Sequence, residues 1–396
     1  MLPISKMSAA VQPSATLAAG AKARQLKTEG KIVYDFSLGE PDFNTPRHIC
    51  DAAYRAMLDG YTHYTAAAGI AELRSAIARR YKRTYGYEFS PEQVIVSNGA
   101  KHSLHNALAA TVGPGDEVII PTPYWVSYSD LVQMTGASFV LVHTTEASRF
   151  KMTAAHLKAA ITPRSRLVMI NSPSNPTGSV YSRAELEALA DVILDAKLGV
   201  ISDEIYEQLV FGNAQATCFA TLRPKLAEQV ITISGVRKSY AMTGWRMGWS
   251  IGPLAVVKAM GNVQSQETSN PSSISQYAAL AALEGEQACV EQMRQEFEAR
   301  RDLVCRRLNA LPGIRCPIPD GAFYAFFNVQ SYIGKTLKGK MITDSASFCA
   351  AALETVHVNL VQGSAFGAEG YVRLSFATSR EQINKGMDKL AEFLRE

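Results

Sequence analysis

A lysine and an arginine follow a short apolar run that we predict to be a buried strand. The run covers residues 231–233, Lys238 comes soon after it, and Arg246 lies eight residues further on. Most lysines stay in water, but one that is held in a pocket can keep a neutral amine that forms an imine with a carbonyl group. An arginine beside it would suit a phosphate. These two residues alone fit a surface loop with two solvated charges equally well, so the rest of the chain has to decide.

Two other predicted strands are followed by groups that bind oxygen atoms. Apolar residues 94–96 precede Gly99, Ala100 and Lys101, a glycine turn that opens a predicted helix. Backbone N–H groups at such a position can hold a phosphate. Apolar residues 167–170 precede a loop with two prolines and a glycine that fixes the amide of Asn175, which could donate to a phenolate-like oxygen. Each feature by itself also fits an ordinary turn.

A carboxylate and two aromatic residues also follow predicted strands. Asp203 comes two residues after the apolar run 199–201, and a buried carboxylate needs a cation. A protonated aromatic ring nitrogen at ~4 Å, with an effective dielectric of ~20, would attract it by about 4 kcal/mol, or roughly 3 pKa units in favour of the protonated ring. Tyr206 could donate from the same strand end. Trp125 could stack on a flat ring, although core packing explains a single aromatic residue as well.

Together these groups are what pyridoxal 5′-phosphate (PLP) requires. They comprise an imine-forming lysine, a carboxylate for the pyridine nitrogen, donors for the ring hydroxyl, a ring for stacking and a phosphate cup. Their joint occurrence at the ends of successive predicted strands is far less probable by chance than any one of them. We therefore predict a PLP site. A nicotinamide dehydrogenase is disfavoured because no G-x-G-x-x-G motif follows the early strands.

The pattern of apolar runs predicts the elements that position these groups. Short apolar runs between residues 94 and 251 alternate with helical stretches such as 183–196. This pattern indicates an α/β fold with a mostly parallel central sheet and helices on both faces. Ligands of such sheets bind beyond the carboxyl ends of the strands.

The rest of the chain predicts further helices and a smaller α+β unit. An early helix at 47–59 has an apolar face made of Ile49, Ala53, Ala56 and Met57. A long helical region is expected at 272–311, with a break near residues 284 and 285. Strands are then expected at 322–329, 357–361 and 371–376, with helices at 345–353 and 380–394.

The composition is that of an ordinary globular protein. The 396 residues are 47% hydrophobic and 19% charged, and the formal charge of +4 is spread along the chain, which favours neither nucleic acid nor a membrane as partner. The start of the chain lacks a signal-peptide pattern, and no apolar run reaches ~18 residues. None of the six cysteines has metal-ligand spacing, so we expect no metal and reduced core thiols in a cytoplasmic protein.

Three longer motifs carry a resemblance to a known family. NSPSNPTG at 171–178, SDEIYE at 202–207 and KSYAMTGWRMG at 238–248 resemble the class I, fold-type I PLP-dependent aminotransferases, in particular the prokaryotic aspartate aminotransferases of subgroup Iβ. The likeness extends from QPSAT at residue 12 to YVRLSFATS at 371–379. It implies a homodimer with active sites at the subunit interface and ping-pong kinetics.

The resemblance implies two sets of site residues, with Lys238 as the catalytic lysine. The set implied to bind the cofactor is Tyr64 of the partner subunit, Gly99, Ala100, Lys101, Trp125, Asn175, Asp203, Tyr206, Lys238 and Arg246. The set implied to bind the substrate is Thr16, Gly39, Lys101, Trp125, Asn175 and Arg373. We expect an N-terminal arm at 1–14, a small domain of 15–47 together with 298–396, and a large PLP-binding domain at 48–297.

The substrate is the least constrained part of this interpretation. In subgroup Iβ, the residues at the positions of Lys101 and Thr16 are suggested to bind the side-chain carboxylate of the substrate. This favours aspartate or glutamate with 2-oxoglutarate or oxaloacetate. One ammonium discriminates less than a guanidinium fork, so aromatic amino acids, alanine and prephenate remain alternatives, as does a PLP-dependent β-lyase. The chain also departs from the family at Arg237, where a small residue is usual. A phosphate contact and a solvent-facing side chain are the two options for it.

Overall fold

The computed structural model describes residues 2–11 and 13–395, so Met1, Gln12 and Glu396 lie outside the described residues. This part of the chain forms thirteen α-helices. They are α1 (Lys6–Ala10), α2 (Ala15–Thr28), α3 (Arg47–Leu58), α4 (Ala71–Tyr85), α5 (Ala100–Thr111), α6 (Ser127–Met134), α7 (Ala154–Ala160), α8 (Arg183–Ala196), α9 (Leu254–Glu267), α10 (Ser273–Glu284), α11 (Ala288–Asn309), α12 (Ser345–Val356) and α13 (Arg380–Phe393).

Seven of the strands in the described residues form the central sheet, in the order β2-β8-β7-β6-β5-β3-β4. Strand β8 runs antiparallel to β2 and β7, whereas the remaining neighbours are parallel, which confirms the predicted α/β fold. The strands are β1 (Tyr34–Asp35), β2 (Val94–Ser97), β3 (Glu117–Thr122), β4 (Ser138–His143), β5 (Ser165–Asn171), β6 (Gly199–Asp203), β7 (Val230–Gly235), β8 (Gly248–Ile251), β9 (Tyr324–Asn328), β10 (Thr336–Leu337), β11 (Lys340–Met341), β12 (Val358–Asn359), β13 (Val361–Gln362) and β14 (Tyr371–Ser375).

Successive residues of the central strands are buried on opposite faces of the sheet. In β2, Val94 and Val96 pack into one hydrophobic core and Ile95 into the other. Val200 and Ile201 of β6 divide between the two cores in the same way. Since helices cover both faces, each strand is apolar along its whole length instead of alternating with polar residues. This is why the short apolar runs predicted the strands.

Helix α8 illustrates how local sequence sets the helix ends. The Ser182 hydroxyl accepts a hydrogen bond from the Glu185 N–H at 3.3 Å, and the Glu185 carboxylate accepts one from the Ser182 N–H at 2.7 Å. This reciprocal capping box satisfies donors that the first turn leaves free. Lys197, with a φ of 55°, ends the helix. The buried side chains recur at helical spacing: Leu186, Leu189, Ala190 and Ile193.

A smaller group of strands brings the two ends of the chain together. Strand β1 pairs in parallel with β12, and β14 lies between β13 and β9 in an antiparallel sheet. The predicted strand at 357–361 is wrong in detail, because it is interrupted at Leu360 and the two strands on either side, β12 and β13, pair in different sheets. The β10–β11 hairpin was not predicted, since its strands are only two residues long. The domain boundaries given above stay predictions.

Helix α3 forms as predicted, but one residue of its predicted apolar face is exposed. Ile49, Ala53 and Ala56 are buried, whereas Met57 is 44% exposed. The three buried residues lie on the side of α3 that packs against α10. Met57 lies ~100° further around the helix than Ala56, because an α-helix has about 3.6 residues per turn. Met57 therefore lies at the edge of the predicted apolar face and outside its buried part.

Two other expectations concern the whole chain. Within residues 2–11 and 13–395, no helix has both the length and the apolarity needed to cross a bilayer. All six cysteines are free; four are buried as expected, but Cys50 and Cys289 are partly exposed and are not core residues. A cytoplasmic location stays a prediction.

Gly178, in the loop after β5, provides a test of the packing beside the sheet. It has a φ of 67°, and a Cβ at this position would lie 2.3 Å from Pro319 Cβ and 2.7 Å from the Gly321 carbonyl oxygen. Gly178→Ala should therefore destabilise the protein by roughly 2–4 kcal/mol, since backbone strain and overpacking add together. Thermal unfolding followed by circular dichroism measures the change.

Gly212→Ala is the matched control, because Gly212 has a φ of 59° but no atom within 4 Å of the added Cβ. It should lower the free energy of unfolding by only ~1 kcal/mol, from the backbone conformation alone. If both variants lost the same amount of stability, a steric role for the close approach at Gly178 would be contradicted.

Candidate active site

The carboxyl ends of the central strands border a cavity of about 330 Å³. Parallel strands end at one edge of a sheet, so residues that are distant in sequence meet there. Most of the predicted site residues line this cavity: Thr16, Gly39, Ala100, Lys101, Trp125, Asn175, Asp203, Tyr206, Lys238, Arg246 and Arg373. Of the other two, Gly99 touches Arg246 and Tyr64 does not line the cavity.

Lys238 is buried in the wall of this cavity and is only 6% exposed. Its Nζ donates a hydrogen bond to the Gly39 carbonyl and lies 5.5 Å from the ring centre of Tyr206. Burial, together with the positive charges of Arg237 and Arg373, lowers the pKa of Lys238 well below its usual range. The neutral, nucleophilic form of the amine is therefore favoured.

Asp203 is a buried carboxylate held by hydrogen bonds. One oxygen accepts from the Tyr128 hydroxyl at 2.6 Å, and the other accepts from the Ile205 N–H at 3.3 Å. Burial raises the pKa of Asp203, and the bond from Tyr128 acts in the opposite direction. A protonated ring nitrogen in the cavity would supply the cation that stabilises this carboxylate.

Arg373 is 1% exposed, and its guanidinium contacts neutral groups. It donates to the side-chain oxygen of Asn175 at 3.0 Å and to the carbonyl of Ser37 at 2.8 Å, while its buried Nε has no partner within the described residues. The guanidinium also lies 4.5 Å from the ring centre of Tyr324. A buried guanidinium without a carboxylate partner is suited to a carboxylate that arrives with a ligand. The Asn175 NH₂ group remains available as a donor.

The N-terminus of α5 forms an uncapped anion cup. Gly99 has a φ of 89° and provides no side-chain cap, so the first N–H groups of the helix are left for a ligand. A Cβ on Gly99 would lie 3.0 Å from the Arg246 guanidinium. A Cβ on Gly248 would lie 2.4 Å from the backbone nitrogen of Ala100. Both glycines are therefore needed for the close approach of β8, Arg246 and the helix end.

Lys101 and Thr16 both line the cavity. The Lys101 Nζ is 4.9 Å from the ring centre of Trp125. Burial and the charges of Arg237 and Arg246 lower the pKa of Lys101. The Thr16 hydroxyl oxygen, on α2, is buried without a hydrogen-bond partner in the described part of the chain. Both groups are available to a ligand.

Two tyrosines of the cavity region were missed by the sequence analysis. Tyr128 holds Asp203, and the Tyr324 hydroxyl lies 2.8 Å from the hydroxyl of Tyr206. A Cβ on Gly39 would lie 2.8 Å from that same Tyr324 hydroxyl. Tyr128 ends the segment PTPYWVSY at 121–128, and Tyr324 ends the segment GAFY at 321–324. Nothing in the local sequence separates them from core aromatic residues, because their hydrogen-bond partners are distant in the chain.

The charged groups of the cavity, which form no ion pairs within the described residues, fit PLP. Lys238 has an amine for its aldehyde, Asp203 has a carboxylate for its ring nitrogen, and the α5 cup with Arg246 suits its phosphate. Buried polar atoms usually have partners. The orphaned Arg373 Nε and Thr16 hydroxyl therefore indicate a cavity built for a polar ligand.

Comparison with known sequences agrees with this chemistry. The sequence model of aminotransferase class I and II matches residues 31–390. The chain is 46% identical to the aspartate aminotransferase of Geobacillus stearothermophilus, over 99% of this chain and 98% of that protein. It is also 46% identical to the aspartate/prephenate aminotransferase of Cereibacter sphaeroides, over 97% of each.

Solved structures agree as well. The aspartate aminotransferase of Rhizobium meliloti superposes with a TM-score of 0.96 at 43% identity, covering 100% of this chain and 99% of that one. The Thermus thermophilus aspartate aminotransferase with maleate gives a TM-score of 0.94 at 39% identity, covering 100% of both chains. With this fold and this set of groups around one cavity, the chain belongs to the class I and II aminotransferases and is a PLP-dependent enzyme.

Proposed function

We propose that this enzyme transfers amino groups between aspartate or glutamate and the oxo acids 2-oxoglutarate and oxaloacetate. One observation carries the proposal: the amine of Lys238 and the guanidinium of Arg373 are both buried at one cavity, and neither forms an ion pair in the described part of the chain. Relatives named aspartate aminotransferases support this choice of substrate.

Each residue has a distinct task in the proposed reaction. Bound PLP supplies an aldehyde that condenses with amino groups and a protonated ring that accepts electrons. Arg373 binds the substrate α-carboxylate and so orients the bond to the α-proton. Lys238 Nζ removes that proton as the general base. Asp203, held by Tyr128, keeps a proton on the ring nitrogen, and the Asn175 NH₂ and the Tyr206 hydroxyl contact the ring oxygen.

The second carboxylate of the substrate would lie between Lys101 and Thr16. The Lys101 ammonium provides the charge, and the unpartnered Thr16 hydroxyl provides a hydrogen bond. A single ammonium selects less sharply than a guanidinium fork. One relative is named an aspartate/prephenate aminotransferase, so prephenate is the second candidate substrate.

We also propose that the enzyme is a homodimer in which Tyr64 of the partner subunit contacts the cofactor phosphate. Tyr64 is 89% exposed and does not line the cavity of its own chain. It lies in a run with other exposed large side chains, and exposed apolar surface of this kind often marks an interface. The exposed large side chains between residues 54 and 64, in the second half of α3 and just after it, are Tyr54, Met57, Leu58, Tyr61 and Tyr64.

The lowered pKa of Lys238 predicts a pH dependence for covalent attachment of PLP. The rate should rise with pH until the lowered pKa of the amine is passed, because only the neutral amine attacks the aldehyde. Stopped-flow absorbance measures the rate, and mass spectrometry after borohydride reduction locates the bond. Lys238→Ala should form no bond, and the exposed control Lys258→Ala should behave like the parent enzyme. A rate that rises only near pH ~10.4, the ordinary lysine value, would contradict the lowered pKa.

The proposed substrate is tested by half-reactions with single amino acids. Aspartate and glutamate should convert bound PLP to its aminated form, seen by absorbance, faster than alanine or phenylalanine. Lys101→Gln should raise the KM for aspartate about ten-fold and leave that for alanine nearly unchanged, since one charged hydrogen bond is lost. The exposed control Lys158→Gln should change neither. The substrate assignment is wrong if alanine or an aromatic amino acid reacts fastest.

The proposed role of Tyr64 across the interface is tested by mixing two defective variants. In a mixed dimer of Lys238→Ala and Tyr64→Ala, one site carries both defects and the other carries none. Activity at low PLP concentration should therefore reappear after subunit exchange. Sedimentation should give a dimer for the parent chain and more monomer for Met57→Glu. Absence of regained activity in mixed dimers that sedimentation verifies would exclude the contact in trans.

A further inference from the structure

The guanidinium of Arg237 lines the active-site cavity and has no partner. Across residues 2–11 and 13–395 it forms no hydrogen bond, ion pair or ring contact, and its Nε is completely buried. Arg237 directly follows Val236, which is fully buried, and precedes Lys238. The residue as a whole is half-buried and lines the cavity, which favours a phosphate contact over the solvent-facing option from the sequence.

Arg237 belongs to a group of three cations at one side of the cavity. Burial lowers the pKa of Arg237, and the charge of Arg246 lowers it further. The charges of Arg237 and Arg246 act on Lys101 in the same direction. Within the described residues, Arg246 donates only to two carbonyls, those of Thr243 at 3.2 Å and Asn98 at 3.5 Å. Three neighbouring cations without a carboxylate partner repel one another until an anion binds.

The contacts of Arg246 differ from those of Lys101. The Arg246 guanidinium lies against Gly99 at the start of α5, and Arg237 lines the same cavity. Lys101 instead lies over the ring of Trp125. A phosphate monoester carries about −2 charge, and the α5 N-terminus with Arg246 offsets only about 1.5 of it. A second guanidinium supplies the positive charge that is still missing, so Lys101 is left to bind the substrate.

We propose that Arg237 is a second guanidinium ligand of the cofactor phosphate, added in this chain beside Arg246 and the α5 N-terminus. A guanidinium can donate two parallel hydrogen bonds to phosphate oxygens, which a small residue at this position cannot do. The proposal rests on the PLP-dependent function given above. It makes retention of the cofactor, not the chemical step, the property that Arg237 controls.

The test compares Arg237→Ser and Arg237→Lys with the exposed control Arg166→Ser. The PLP-free forms are titrated with PLP, followed by absorbance, and with inorganic phosphate, followed by calorimetry. Arg237→Ser should raise the dissociation constant of PLP about ten- to a hundred-fold and should also weaken phosphate binding. Arg237→Lys should recover part of both affinities, because it restores the charge without the fork. Arg166→Ser should match the parent enzyme.

Several outcomes would overturn the inference. Unchanged dissociation constants in Arg237→Ser exclude a phosphate contact. A raised KM for aspartate with unchanged PLP affinity would assign Arg237 to the substrate carboxylate. A lower thermal midpoint with unchanged affinities would assign it to folding alone. If the parent chain itself fails to bind PLP, the proposed function falls together with this inference; if parent and Arg237→Ser bind PLP equally, the inference alone falls.

Discussion

The structure depends on keeping several buried charges apart from one another. Asp203 ends β6 and Lys238 follows β7 at the carboxyl edge of the central sheet, while Arg373 lines the same cavity from β14 of the smaller sheet. None of the three forms an ion pair in the described residues. A buried ion is costly unless a partner of opposite charge is nearby. Neutral donors and acceptors therefore hold each group in place, and the charge balance is left for the cofactor and the substrate to complete.

The rigidity of the surrounding fold makes this arrangement possible. The seven-stranded sheet is buried on both faces, so the ends of its strands are fixed relative to one another. Tyr128 and Tyr324 extend that rigidity into the site through hydrogen bonds of 2.6 Å to Asp203 and 2.8 Å to Tyr206. Close approaches at Gly39 and Gly99 bring backbone and side chains into contact where a Cβ would not fit. The site is preorganised by packing, in agreement with the general requirement for catalysis.

The cationic side of the cavity links cofactor binding with substrate choice. Lys101, Arg237 and Arg246 together carry about the charge needed to balance a phosphate and one distal carboxylate. Because these cations repel one another, the charge of each affects the protonation of its neighbours. Arg237 also lowers the pKa of Lys238, so the phosphate side of the site influences the catalytic amine. Retention of the cofactor and reactivity of the lysine are thus electrostatically connected.

The sequence by itself determined the fold class, the central strands and helices such as α8. Burial on both faces of a sheet requires a continuous apolar run, and helix capping depends on residues within one turn, so both can be seen in neighbouring residues. The sequence also predicted Lys238, Asp203 and Asn175 as candidates, since polar residues directly after apolar runs must lie at a strand end. Only the tertiary structure decided that Met57 is exposed and that Tyr128 meets Asp203. It also decided that Arg237 points into the cavity. These properties depend on contacts between segments that are distant in the sequence, so they cannot be predicted from a local sequence pattern.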